Sequence, residues 1–313
     1  MSSSSTSPLG TSVSSASASA AATSGSSASA AATSGSSASG KSTSGATTSS
    51  TPDAAATSPV LLDIDGPVAR LTFNRPAVLN ALDGAMASAW QAALQTVRDT
   101  AGLRVLVMRG AGRAFMAGGD LGALQQDPVA KVQALLPVAH DCVRIITDLQ
   151  IPVVASLHGA VAGAGVSIAL AADLAIAAEN TQFTLAYARI GASPDVGATW
   201  HLPQVVGLRK AMEIAMLADT LDAQEALRLS LVNRVVPTNA LEAETDALVQ
   251  RLANGPTAAY AKIRHLLRDA GQRSLSAQLD AEQAAFEASA ATEDFQEGVA
   301  AFLGKRPAKY TGR

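Results

Sequence analysis

Two glycine-rich segments constrain this chain more than any other feature. The first reads Ala114-Phe115-Met116-Ala117-Gly118-Gly119-Asp120-Leu121, and the second His158-Gly159-Ala160-Val161-Ala162-Gly163-Ala164-Gly165. Each follows a short apolar run, over 105–108 and 153–156, and each leads into a stretch that can continue as helix. Strand, small-residue turn and helix, twice over, predict an α/β arrangement. Small residues let a backbone come close to a ligand. A strand-to-helix turn also leaves amide N–H groups without a partner, suited to an anionic oxygen. Two such turns facing one point would make an oxyanion hole.

The chain changes character near Pro59. Residues 1–58 are almost entirely Ser, Ala, Thr and Gly, and the decapeptide at 18–27 recurs at 28–37. Such a segment cannot bury enough apolar surface to offset its conformational entropy, so it is expected to be a disordered tail. It lacks the basic start and apolar core of a secretory signal, and the Arg-rich character of a mitochondrial presequence. From residue 60 onward the pattern is that of a folded domain. Strands are expected at 60–64 and 68–73 around the Asp65-Gly66 turn, then at 105–108, 153–157 and 174–177. Helices are expected from the Asp83 cap to about Arg98, over 131–149 before Pro152, and repeatedly after Gly207, at 209–217, 223–229, 241–254, 257–269 and 275–290. The division expected is a core over 59–254 and a helical segment over 255–313.

Charge and cysteine usage narrow the function. The formal net charge is -3 and the apparent pI about 5.8, which gives no support for nucleic-acid binding. The single cysteine, Cys142, excludes an intramolecular disulfide and a cysteine metal cluster, and fits a reduced compartment. No apolar run reaches the roughly 18 residues of a membrane span. A cytoplasmic protein with neither nucleic acid nor membrane as partner is expected.

In order and spacing, further motifs join the two turns. These are Asn74-Arg75-Pro76 with Leu79-Asn80-Ala81-Leu82, Gly112-Arg113-Ala114-Phe115, Asp173-Leu174-Ala175-Ile176-Ala177, Gly207-Leu208, Gly255-Pro256-Thr257, and the terminal Glu297-Gly298, Phe302 and Lys305-Arg306. Together they resemble the crotonase superfamily, the enoyl-CoA hydratase/isomerase group, from about Val60 to Arg306. The resemblance implies a spiral of repeated ββα units with a C-terminal helical trimerisation segment, assembled as a homotrimer or homohexamer. It implies an acyl-CoA thioester as substrate, with CoA part of the substrate and neither metal nor other cofactor required. Fatty acid or aromatic acid metabolism would be the setting.

On the matching positions, the backbone N–H groups of Gly119 and Ala164 are the oxyanion donors, with Ala164 where the family usually has Gly. Asp120, Leu121 and Gly122 follow the first donor along the CoA path. Phe302 and Lys305 match positions that close over CoA, often from a neighbouring subunit. The two glutamates of family hydratases are missing, and Ser167 and Tyr187 stand in their places. Ser167 reads better as a small helix residue than as a nucleophile. Tyr187 is too weak an acid to serve easily as a base, and either lines the acyl pocket, donates a hydrogen bond or simply packs. Asp195, in Ser193-Pro194-Asp195-Val196-Gly197, is either a helix N-cap or the proton shuttle. Aspartate occurs at this position in dienoyl-CoA isomerases and ring epoxide isomerases, and as the nucleophile of 4-chlorobenzoyl-CoA dehalogenase. The expected activity is therefore an isomerase with Asp195 as shuttle and the acyl group near Tyr187 and Trp200. Alternatives are a hydratase, a hydrolase or dehalogenase, and a non-catalytic acyl-CoA binder. His140 is expected to face solvent or a subunit contact, and His158 to be structural.

Overall fold

The computed structural model describes residues 58–313. The tail expected over 1–58 lies, apart from Ser58, outside the described residues. The polypeptide opens with a hairpin, β1 (Val60–Asp65) and β2 (Val68–Phe73), paired antiparallel with Val60 opposite Phe73. Thereafter β3 (Val105–Gly110), β4 (Val153–Leu157), β6 (Leu174–Ala178) and β9 (Arg234–Val236) join in parallel, giving a six-stranded sheet of order β1-β2-β3-β4-β6-β9. A smaller sheet contains β5 (Ala160–Ala162), β7 (Gln182–Thr184) and β8 (Leu221–Asp222) in the order β5-β7-β8.

A repeat runs through this topology. One strand enters the large sheet, the next enters the small one, and a helix returns. β4, β5 and α4 (Ala164–Ala171) form one such unit; β6, β7 and α5 (Ala198–Val206) form the next. This is the expected spiral of ββα units. The strands of the small sheet are two or three residues long, too short to register as periodicity in the sequence.

The central strands are apolar because both faces of the sheet are covered. β4 is buried at every position. On one face packs α1 (Gly84–Asp99), capped as expected by the Asp83 side chain accepting from Met86 N. Its Met86, Trp90, Leu94 and Val97 are buried at helical spacing. Phe73 meets Trp90 and Phe115 edge-on at 5.8 and 5.6 Å. Helix α3 (Pro128–Asp148), preceded by the single turn α2 (Leu121–Leu124), lies beside α1 and contributes buried Cys142. Burial pushes that thiol up to about 12, so Cys142 acts as a packing residue. On the other face, Val249 and Ala253 of α8 (Leu241–Ala253) close over Val68, Val105, Val107 and Val154. α6 (Leu208–Leu217) and α7 (Ala223–Arg228) precede α8.

The helical end begins with α9 (Thr257–Asp269). Two arginines lock it to the core. Arg264 is buried and donates to Asp173 and to the carbonyls of Ile146 and Leu149; Arg268 donates to Asp173 and to the Ala171 carbonyl. Every charge in that cluster has partners, the condition under which buried ions are tolerated. α10 (Leu275–Ala290) and α11 (Glu293–Leu303) follow and leave Leu275, Leu279, Phe286, Phe302 and Leu303 exposed. Among the described residues no helix is long and apolar enough to cross a membrane.

Candidate functional site

The first glycine turn is shaped by the residues that precede it. Asn80 is buried in the left-handed region, at φ 59°, a conformation asparagine tolerates. Its Nδ2 donates to the carbonyls of Ala111 at 2.9 Å, Ala114 at 2.8 Å and Phe115 at 3.2 Å, and its Oδ1 accepts from Arg75 N at 2.8 Å. The loop from 111 to 115 is thereby wrapped around one amide. Arg75 reaches on to Asp120 Oδ2 at 3.1 Å and Asp83 Oδ2 at 3.0 Å. Asp120 Oδ1 accepts from Ala123 N and caps α2. Leu82 then brackets Gly119: Leu82 N donates to Gly118 O at 2.8 Å, and Asp120 N donates to Leu82 O at 2.9 Å. In such a bridge the intervening N–H, that of Gly119, points to the opposite side.

The second turn is held by backbone against backbone. Met116 N donates to Ala160 O, and Ala162 N to Met116 O. Gly163 N donates to Thr184 O. Gly163 takes φ 48° and ψ -118°, open in practice to glycine alone, and this bend sends the chain from β5 straight into α4. A Cβ on Gly163 would lie 3.4 Å from Gly118 Cα, so the two turns touch. A Cβ on Gly165 would lie 2.3 Å from Met116 O, closer than any real contact. Ala164 is the first residue of α4, where an amide has no intrahelical acceptor. Among the described residues, no protein acceptor takes the N–H of Gly119 or Ala164. Both residues line one cavity of about 410 Å³.

Asp195 lies on the wall of that same cavity, with Tyr187 and Leu121. It is the one carboxylate among the lining residues. The N-cap reading does not hold for its side chain: the cap of α5 is Gly197, and Asp195 contributes only a backbone carbonyl, to Ala198 N. The carboxylate instead accepts a hydrogen bond at Oδ1 from the Tyr187 hydroxyl. Burial raises the Asp195 pKa above the ordinary carboxylate value, while the Tyr187 hydrogen bond and nearby His140 pull the other way. Burial and the neighbouring Asp195 carboxylate push Tyr187 well up, so its phenol stays protonated. Ser167, buried on α4, has its Oγ 3.2 Å from the Tyr187 hydroxyl and 3.4 Å from Gly163 O. Next to Asp195, Val196 sits at φ 51°, an outlier for a β-branched residue. Strain of this kind, about 1–3 kcal/mol, persists where the surroundings over-determine it.

His140 differs from expectation. It turns inward to the loop of Asp195, and its Nε2 accepts from Val196 N at 3.4 Å. Helix α3 faces the cavity, which brings His140 against the loop. His158 is structural as expected, its Nε2 donating to Gly112 O at 2.9 Å. Five of the remaining expected contacts, Asp120, Gly122, Trp200, Phe302 and Lys305, are not among the cavity-lining residues. Asp120 is turned to Arg75, and Gly122 sits behind it, where a Cβ would lie 3.4 Å from Asp120 Oδ1. Trp200 is 54% exposed on α5, and Phe302 is 83% exposed near the end of α11. Lys305 follows that helix and, within one chain, does not line the cavity either. The sequence reading missed the aliphatic wall made by Leu82, Leu124, Val132, Leu135, Leu136 and Ile190. The spacing of Val132, Leu135 and Leu136 along the expected helix was the available signal.

Comparison with known proteins converges on one group. The sequence profile of the enoyl-CoA hydratase/isomerase family matches residues 63–313. A Rhodobacter capsulatus protein named "Probable enoyl-CoA hydratase" is 39% identical over 251 residues, covering 80% of this chain and 97% of that protein. The 1,2-epoxyphenylacetyl-CoA isomerase of Escherichia coli is 34% identical over 258 residues, covering 81% and 98% respectively. The crystal structure of an enoyl-CoA hydratase from Polaromonas superimposes with a TM-score of 0.76 at 33% identity, covering 80% of this chain and 99% of that one.

Proposed function

We propose, on the premise that the chain belongs to the enoyl-CoA hydratase/isomerase family, that it moves a double bond or opens a strained ring in an acyl-CoA thioester. The thioester oxygen lies between the amides of Gly119 and Ala164. As a proton leaves the substrate carbon, the C–H electron pair passes toward that oxygen as an enolate. The two N–H groups and the N-terminal end of α4 stabilise the charge. One such donor is typically worth about 3–4 kcal/mol in the transition state. Asp195 takes the proton on its carboxylate and returns it at another carbon, restoring itself with no net gain or loss. A carboxylate whose pKa is raised by burial is suited to both halves of that exchange.

The observation that carries this reading is the company Asp195 keeps. It shares the cavity with both free amides, and no second acid lines the wall. The places of the two water-activating glutamates of family hydratases hold Ser167 and Tyr187, whose hydroxyls are engaged with each other and with Asp195. The aliphatic wall favours an apolar acyl group. CoA is part of the substrate, and the proton transfer calls for no other cofactor. A homotrimer or homohexamer belongs to the same proposal, with Phe302 and Lys305 closing over CoA from a neighbouring subunit. Light scattering should give three or six times the chain mass; a monomer would remove that part.

A hydratase is the second reading, favoured by the 39% identical relative of that name. It would require Asp195 alone to activate water. Incubation of enoyl-, dienoyl- and aryl-CoA esters in deuterated water, followed by NMR, separates the two. Isomerisation places deuterium on carbon and shifts the double bond or ring; accumulation of a 3-hydroxyacyl product would overturn the isomerase reading.

A further inference from the structure

We infer that Tyr187 and Ser167 are positioning residues, a directed pair of hydroxyl donors that fixes one oxygen of Asp195 and leaves Oδ2 as the oxygen that carries the proton. The inference rests on the proposed role of Asp195 and adds a division of labour within that carboxylate.

Three observations carry it. The Tyr187 hydroxyl donates to Asp195 Oδ1, so the carboxylate has one oxygen committed to the protein. Ser167 Oγ lies 3.2 Å from the same phenol oxygen. Its other neighbour, Gly163 O at 3.4 Å, already accepts from Val166 N at 3.0 Å and Ser167 N at 3.2 Å. The Ser167 proton is therefore best used on Tyr187, whose own proton is directed to Asp195. The result is a chain in one direction, Ser167 to Tyr187 to Asp195, in which each bond polarises the next. Ser167 and Tyr187 are buried and Asp195 is half-buried, so water competes little for the two hydroxyls. Ser167 stands on α4, three residues beyond Ala164. The base and the second oxyanion donor are thus referenced to one short helix, and a displacement of α4 moves both together.

The pair also sets the protonation range of the base. The titratable groups that act on Asp195 among the described residues are Tyr187, from the 3-10 turn Ala186–Ile190, and His140, from α3. A donor to the carboxylate favours its ionised form, so loss of the Tyr187 hydroxyl raises the Asp195 pKa further. Because the base must be ionised to accept the proton, the acid limb of the rate profile then moves to higher pH. His140 is common to wild type and variant and drops out of the difference.

The test uses Tyr187→Phe, Ser167→Ala, the double variant and Asp195→Asn, each in the full-length chain, with wash-in of solvent deuterium into an enoyl-CoA ester as the assay. Tyr187→Phe keeps the ring and is expected to melt within a few degrees of wild type. Its kcat should fall roughly 10- to 100-fold, the scale of a hydrogen bond to a charged group, with KM little changed and the acid limb displaced upward. Ser167→Ala should shift the same limb in the same direction by less, and the double variant should behave as Tyr187→Phe alone. An unmoved limb in Tyr187→Phe, or losses that multiply in the double variant, overturns the inference. Full activity in Asp195→Asn would instead remove the underlying role of Asp195, so the two failures are distinguishable.

Discussion

The first glycine turn is held by polar side chains, the second by close-packed backbone. Asn80 and Arg75 clasp the first through carbonyls and the carboxylates of Asp83 and Asp120, several of them partly exposed to solvent. In the second, side-chain contacts lie mainly at its start, at His158 and Gly159, and backbone contacts hold the rest. Gly165 fits against Met116 with no room for a methyl group, Gly163 touches Gly118 in a backbone conformation suited to glycine, and α4 behind them is almost wholly buried. Two different solutions thus present equivalent amides to one cavity. The contrast teaches that an oxyanion hole needs rigidity, and that either hydrogen-bonded or sterically packed scaffolding supplies it.

The largest effect should come from the acid that both turns serve. Asp195→Asn is expected to lower turnover by roughly 10²–10⁴-fold while acyl-CoA binding is retained. Because burial raises the folded-state pKa, the ionised carboxylate destabilises the fold above that pKa and has no such effect below about pH 3.9, where folded and unfolded forms are both protonated. The variant should therefore melt at or above the wild-type temperature near pH 7, with the difference vanishing in acid. A lower melting temperature at pH 7 would contradict the desolvated environment assigned to Asp195.

Gly165→Ala comes next and breaks the sterically packed turn. Its methyl meets Met116 O, so the start of α4 must shift, with a stability loss of about 1–3 kcal/mol. Displacing one oxyanion donor should also lower kcat by on the order of a hundredfold. Asn80→Ala tests the clasped turn. It leaves buried carbonyls of the 111–115 loop unpaired, and denaturant melts should show a loss of about 1–3 kcal/mol. Arg75→Gln is the mildest, at about 1 kcal/mol or less, and its effect should shrink as salt rises. Equal salt sensitivity for Gly165→Ala would erase the distinction between the two turns.

Much of this was legible in the chain because it rests on local chemistry. The Asp83 cap, the strand at Val153–Leu157 and the helices at Thr257–Asp269 and Leu275–Ala290 follow from nearest neighbours and periodicity. The two glycine turns identified themselves by composition. What stayed hidden depends on contacts distant in sequence. Nothing local in Asn80 says that it binds three carbonyls 31 to 35 residues away. The hydrogen bond of Tyr187 to Asp195 requires the backbone between them to fold back, and Val196, the next residue, takes a conformation its type disfavours. The inward turn of His140 and the exposure of Trp200 stayed hidden for the same reason, since which face of a helix meets a loop is set by packing rather than by spacing.

A crystal structure with a non-reactive acyl-CoA analogue tests the central claim most directly. The account predicts the thioester oxygen at about 2.7–3.1 Å from both the Gly119 and the Ala164 amide nitrogens, with Asp195 Oδ2 facing the adjacent carbon. An oxygen bound elsewhere, with those amides turned to protein carbonyls, would contradict it.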